Sequence, residues 1–377
     1  MSAGALLEGR RVCICPGPGG VDKTTVAAAL ATGLAAGGSK VAVVTIDPAR
    51  RLADALGLAA LGDAPRRVEP ARLAAAGLNV EGDGELWALT LDAKRTWDHV
   101  VRRYAPDAAT SEAILANPVY RQLSSAVAGT QEYMAMEKLY ELHEQGGYDV
   151  VVLDTPPTRN ALDFLDAPGR LLRFLDSRSL RLLTAPGRRG LRLAGRSAGA
   201  AFALLERVSG VELLREVGEF LRAFDSMADD FRARAARVRE LLGDPATAFV
   251  AVTSARPESV RETIFLAGRL RGSGMGLAGA VVNRVHAGAP LAPGAEAELG
   301  RLLGAGLARK VASGAHDAHT LAERDRAGLE QLRRELAGAP LIEVPELDGD
   351  VNDLAALTLV SRHLFASADG RSYTGAP

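Results

Sequence analysis

The chain of 377 residues is 47% apolar and 24% charged, with a net charge of −1. That balance excludes a disordered, collagen-like or strongly nucleic-acid-binding protein. No run of about 18 apolar residues is present to span a bilayer, and Met1–Glu8 lacks the basic flank and apolar centre of a signal peptide, so a cytoplasmic protein with a full-sized core is expected.

Taken in order, Arg11–Cys15 is a short buried run that ends in a Gly/Pro cluster, and Val26–Leu34 reads as an Ala-rich helix, giving strand, glycine loop, helix. Cys13 and Cys15 are the chain's two cysteines, too few for a disulfide framework, a four-thiolate zinc site or an iron–sulfur cluster. Their spacing puts both on one face of the first strand, where packing is the expected role. Val41–Ile46 is a second strand, ending at Asp47-Pro48, and a helix is expected over Ala49–Leu58. Leu86–Leu91, Val150–Asp154, Ala248–Thr253, Leu277–Val282 and Leu341–Val344 follow as further apolar runs. Their near-continuous hydrophobicity suits strands covered on both faces, and their alternation with helices predicts an α/β fold with a mostly parallel, doubly wound sheet of about seven strands. Residues 93–146 and 159–244 are strand-free and helical in period, which predicts an inserted helical subdomain. The core is then expected over 1–92, 147–158 and 245–366, with 367–377 a flexible polar tail.

The loop after the first strand carries the chemistry. Gly17-Pro18-Gly19-Gly20-Val21-Asp22-Lys23-Thr24-Thr25 follows a strand and opens a helix, the context of a phosphate-binding loop, and departs by one residue from G-x-x-x-x-G-K-[ST]. In such a loop, backbone N–H groups and the helix N-terminus cradle phosphate oxygens, the lysine neutralises the outer phosphates, and the following hydroxyl ligates Mg²⁺. Only five of the 45 basic residues are lysine. Lys23 is one of them, and arginine's planar fork does not replace a compact ammonium in a tight cradle. A glycine-rich turn without a ligand is one alternative, and a dinucleotide site is another, with Asp47 as the acid after the second strand, but its third glycine would fall at Asp22.

Four ordered segments carry a family resemblance: Gly19–Thr25, Thr45-Ile46-Asp47-Pro48-Ala49, Asp154-Thr155-Pro156-Pro157-Thr158 leading into Leu162-Asp163-Phe164-Leu165, and Val281-Val282-Asn283-Arg284. Together they resemble the ArsA-type P-loop ATPases, the family of arsenite-pump and tail-anchored-protein targeting ATPases, in its bacterial single-domain branch. The resemblance implies a P-loop NTPase fold and Mg-ATP binding and hydrolysis that switch a dimer handling a client protein, anion or membrane partner. It implies that Gly17, Gly19, Gly20, Val21, Asp22, Lys23, Thr24 and Thr25 hold phosphates, with Thr24 and Asp154 on the metal. Asp47 and Lys23 would be catalytic, Asp47 orienting the attacking water and Lys23 holding the phosphates; Asn283 would read the adenine edge, and Pro345 would pack near the base. A plain N-cap for Asp47 and a turn role for Asn283 are the structural alternatives.

Two departures bear on activity. Glycine usually stands where Asp22 does, and a second lysine where Pro18 does. A carboxylate about 4 Å from a phosphate charge costs on the order of 4 kcal/mol at an effective dielectric of about 20, roughly a thousandfold in affinity. The alternative function is therefore a non-hydrolysing scaffold subunit paired with an active paralogue, so both a homodimer and a heterodimer are open. Arg50 and Arg159 are candidates for the missing loop charge.

The Arg- and Leu-rich stretch within 169–196 suits an anionic membrane surface or an acidic partner, which would place the protein peripherally at a membrane. Met134 and Met136 fit either the core or an apolar client groove. Arsenite binding and a structural zinc lack clustered thiolates, His316 and His319 read as a surface pair, and no nucleic-acid partner is expected.

Overall fold

The computed structural model describes residues 1–47, 49–126, 130–155, 220, 227–336 and 338–366. They fall into two compact units: the described residues of Met1–Thr90, Leu142–Ala161 and Pro245–Pro377, and those of Leu91–Glu141 and Leu162–Asp244.

The first unit is built on one eight-stranded sheet. Its strands are β1 (Val12–Cys15), β2 (Lys40–Thr45), β3 (Arg66–Arg67), β4 (Glu85–Thr90), β5 (Val150–Asp154), β6 (Thr247–Thr253), β7 (Leu277–Val285) and β8 (Leu341–Pro345), in the order β3-β4-β2-β5-β1-β6-β7-β8. All neighbours are parallel except β3 against β4. The seven strands expected from apolar runs are present. The eighth, β3, is an exposed pair of arginines on the edge, with no hydrophobic signal to betray it. Every residue of β1, β5 and β6 is buried, as strands covered on both faces must be. The P-loop NTPase architecture follows from this mostly parallel sheet and its glycine loop.

Helix α1 (Ala3–Leu7) precedes β1, and α2 (Lys23–Ala36) follows it. Ala, Val and Leu keep α2 buried around most of its circumference, packed on the sheet and against the C-terminal helix Leu354–Phe365. Helix α3 is only Arg51–Ala55, shorter than expected, because the chain turns out of it at Leu56 and Gly57 adopts φ 65°. Helix α4 is Pro70–Ala75. Cys13 and Cys15 are fully buried on one face of β1 with their sulfurs 3.9 Å apart, and the hydrogen bond with Cys13, together with burial, pushes the Cys15 thiol well above its ordinary pKa. They are packing residues.

The second unit contains α5 (Ala93–Tyr104), α6 (Ala108–Ala116), α7 (Pro118–Ala126), most of α8 (Thr130–Gln145) and α9 (Ala228–Gly243). Trp97 stacks on Phe231 at 5.6 Å between ring centroids, and Tyr133 tilts against the same phenyl ring at 5.3 Å. Met134 and Met136 are fully buried and belong to the core of this unit. Arg234 and Glu137 form a buried ion pair, with the guanidinium 3.9 Å from the Tyr140 ring centroid. The basic stretch within 169–196, Arg159, the segment from Pro156 to Leu165 and the 367–377 tail lie outside the described residues.

Helices α10 (Pro257–Gly272), α11 (Ala295–Leu303), α12 (Ala305–Glu335) and α13 (Leu354–Phe365) complete the first unit. His316 is exposed on α12, and His319 pairs weakly with Glu323 one turn on, at 3.6 Å. Among the described residues no helix is long and apolar enough to cross a membrane.

Candidate functional site

In a doubly wound sheet the strand order reverses beside β1, and the crevice at the carboxyl ends of the strands is the ligand position. The loop from Pro16 to Asp22 fills that edge. Val252 N donates to Pro16 O at 2.8 Å and ties the loop to β6. A Cβ on Gly17 would stand 1.9 Å from the Val252 carbonyl oxygen, so nothing larger than glycine fits there. Gly20 adopts φ 75°, the left-handed region that glycine enters without strain. Gly19 and Gly20 are exposed at the loop tip and Val21 is buried beneath it. The loop then delivers the chain into the N-terminus of α2, where unsatisfied amides and the helix dipole favour an anion.

Lys23 opens α2 and is 6% exposed, its Nζ donating to Pro18 O at 2.8 Å. Burial pushes the ammonium below its usual pKa, and the charges of Asp154 and Asp47 oppose that shift. The lysine thus lies across the loop on the Pro18 carbonyl, which stands as an acceptor where the family places a second cation.

Asp154, at the end of β5, accepts from Thr24 Oγ1 at 2.6 Å and from Thr45 Oγ1 at 2.8 Å, both on Oδ2. Thr45 stands beside it because β2 and β5 pair with Thr45 opposite Asp154. Thr45 was not among the residues expected from sequence; its signal was a hydroxyl at the carboxyl end of an otherwise apolar strand. Burial pushes the Asp154 carboxyl up to about 6, against the pull of the two hydroxyls and Lys23. Its other oxygen, Oδ1, is buried and has no hydrogen-bond partner among the described residues. A buried carboxylate oxygen without a donor is an unmet demand for a cation or a cation-held water. With the Thr24 hydroxyl alongside, the donor set is hard oxygen, which fits Mg²⁺.

Asp47 sits half-buried two residues beyond Thr45. Its Oδ1 accepts from Ala49 N at 2.9 Å and its own N donates to Thr45 Oγ1 at 3.2 Å. The cap of α3 is Arg50, so Asp47 closes a local turn and does not cap that helix. Arg50 donates to Ala59 O.

A cleft of about 650 Å³ opens on the other side of the loop, lined in part by Asp22, Thr25, Asn283, Arg284, Pro345 and Glu346. Thr25 therefore faces this cleft, while Thr24 faces Asp154. The pairing of β7 with β8 shifts register between Val282 and Val285, and Arg284 adopts φ 58°. Such irregularities re-aim side chains. Here Asn283 is buried and its Nδ2 donates to Val21 O at 3.2 Å, while Arg284 Nε lies 2.7 Å from Asp22 Oδ2 and 3.8 Å from Glu346 Oε2. Asp22 has φ 59° and ψ 46°. The Asp22 side chain thus turns to the cleft and ion-pairs with a residue 262 positions away in sequence, a partner that the sequence reading did not name.

Residues 10–291 match the family model for anion-transporting ATPases of ArsA type. Similar proteins include a putative arsenical pump-driving ATPase of Halobacterium salinarum, 37% identical over 187 residues, which cover 49% of this chain and 28% of that protein. ATPase GET3 of Malassezia globosa is 29% identical over 161 residues, 43% of each chain. An ATPase ASNA1 homolog of Cryptosporidium parvum is 28% identical over 270 residues, 71% of this chain and 63% of that one. The matched segments thus span less than two thirds of each relative's length. With the family model covering most of the sequence and its loop, strand-end acid and doubly wound sheet in place, the chain belongs to the ArsA-type anion-transporting ATPase family.

Proposed function

We propose that this chain binds and hydrolyses Mg-ATP and uses the cycle to switch a dimer between states that hold and release a client protein, an anion or a membrane partner. The observation that carries the reading is the orphaned Asp154 Oδ1 beside the Thr24 hydroxyl, at the mouth of a glycine loop whose lysine is buried over it. Lys23 would leave the Pro18 carbonyl to neutralise the outer phosphates, and the loop amides with the α2 N-terminus would hold their oxygens. Thr24 and Asp154 would hold the magnesium, Asp154 through water. When bound, Mg²⁺ supplies charge neutralisation at the phosphates. Asp47, held by its turn near Lys23 and Asp154, would orient the attacking water. Asn283 and Pro345, on the cleft side, would receive the base.

Asp22 favours a second reading. A carboxylate at the head of α2 is expected to weaken binding or turnover relative to glycine, and a chain that binds nucleotide without turning it over would serve as a scaffold for an active paralogue. Phosphate release by the purified chain, with Lys23→Ala beside it, separates the two. Release that depends on ATP, magnesium and Lys23 supports the enzyme. Weak binding without release, with release appearing in Asp22→Gly, supports the scaffold.

A further inference from the structure

Asp22 is the N-cap of α2, and an N-cap aspartate ordinarily folds its carboxylate back onto the amides of the first turn. Here it makes no such bond. Were it to do so, it would occupy the amides that an anion needs and place a negative charge among the phosphates. Its left-handed backbone instead carries the side chain to the cleft, where Arg284 Nε meets Oδ2 at 2.7 Å. Arg284 reaches that point because it too is left-handed, at φ 58°, at the place where β7 and β8 lose register. Two non-glycine residues in sparsely populated backbone conformations, on segments far apart in sequence, thus converge on one ion pair. Such conformations persist only where surrounding contacts over-determine them, and they cluster at functional sites. Glu346 Oε2 lies 3.8 Å from the same Nε, so the guanidinium stands between two carboxylates.

We propose that Arg284 is a positioning residue for the nucleotide: it holds the Asp22 carboxylate away from the α2 amides, and so makes a phosphate loop with aspartate in place of glycine competent to bind a nucleoside triphosphate. The inference rests on the nucleotide-site reading above. Arg284 does not touch phosphate in this role; it acts through Asp22. Neutralising the guanidinium frees the carboxylate to cap the helix and oppose the incoming anion. With glycine at position 22 there is nothing for Arg284 to hold, and its replacement has no effect on affinity.

The test measures Mg-ATP affinity by calorimetry for the unmodified chain, Arg284→Gln, Asp22→Gly and the double variant. Arg284 is 46% exposed, so the glutamine leaves the core intact, and circular dichroism checks the fold of each. The expected result is a loss of roughly tenfold to a hundredfold for Arg284→Gln, and equal affinities for Asp22→Gly and the double variant. Equal affinity of Arg284→Gln and the unmodified chain overturns the proposal. So does an equal loss in both backgrounds, which would make Arg284 a direct ligand contact. Binding confined to the two glycine-22 chains overturns it while leaving the nucleotide site standing, since Arg284 would then fail to offset Asp22. Absence of binding in all four removes both the site reading and this inference.

Discussion

The hydroxyl of Thr24, in the first turn of α2, lies 2.6 Å from Oδ2 of Asp154 at the end of β5, bringing the loop and the sheet edge to one carboxylate. On the proposed reading the other oxygen of Asp154 and the Thr24 hydroxyl would hold magnesium, so Thr24→Ala is expected to weaken the magnesium affinity of the nucleotide complex by about tenfold to a hundredfold. Thr24→Ser keeps the hydroxyl and retains most of it. A magnesium titration of nucleotide binding, with each variant, reads this directly; an unchanged midpoint in Thr24→Ala removes the residue from the metal site.

Gly17 has no room for a methyl group, because the Val252 carbonyl occupies the space at 1.9 Å from the added carbon. Gly17→Ala must push the loop away from β6. The expected loss of stability is about 1–3 kcal/mol, the range for overpacking a fitted site. Nucleotide binding falls with it. Thermal unfolding with and without ATP checks both, and an alanine variant as stable as the parent contradicts the packing.

Asp325 anchors the end of β7 to α12. It is 1% exposed and accepts from the His286 amide at 3.0 Å, contacts the His286 ring Nδ1 at 2.7 Å and accepts from Arg324 at 2.8 Å. Burial pushes this carboxyl up, but the His286 and Arg324 contacts outweigh it and hold it below its ordinary value. A carboxyl lowered in the folded state contributes stability that is present above the unfolded value of about 4 and lost as the pH falls through the folded value. Asp325→Asn should therefore unfold at lower temperature than the parent near neutral pH, with the difference shrinking as the pH falls below about 4. A difference independent of pH would show that the lost contacts are not ionic.

In the second unit, Glu137 and Arg234 are both almost wholly buried and joined at 2.7 Å. Removing one partner leaves the other charge without compensation. Glu137→Gln is expected to cost about 3 kcal/mol, whereas replacing both by apolar residues of similar volume costs much less, because neither charge then needs desolvating. Denaturant midpoints for the single and double variants test this through their non-additivity.

How much of this was readable in advance depends on the range of the signal. The strands β1, β5 and β6 are runs of wholly buried apolar residues, and such runs declare themselves locally. Lys23 and Thr24 could be singled out because a phosphate-loop pattern is local, and the structure places both at the head of α2 beside Pro18 and Asp154. Asp154 announced itself as an acid closing an apolar run. What escaped were residues defined by neighbours. Thr45 gains its place only when β2 lies against β5, and Arg284 only when a register shift at the end of β7 turns it toward Asp22. The exposed pair Arg66–Arg67 forms β3 through backbone pairing alone, and α3 stopped short because local turn chemistry prevailed over its apolar spacing. The partner of Asp22 was hidden for the same reason, since it is contributed by the end of β7.

The account stands or falls on whether the loop between β1 and α2 holds Mg-ATP. Calorimetric titration of ATP into the unmodified chain, with magnesium and with magnesium chelated, tests that most directly beside Lys23→Ala and Asp22→Gly. The account predicts saturable binding that needs magnesium, disappears in Lys23→Ala and tightens in Asp22→Gly by less than the roughly thousandfold expected of an unpaired carboxylate. Binding that survives Lys23→Ala, or no binding in either the unmodified chain or Asp22→Gly, contradicts it.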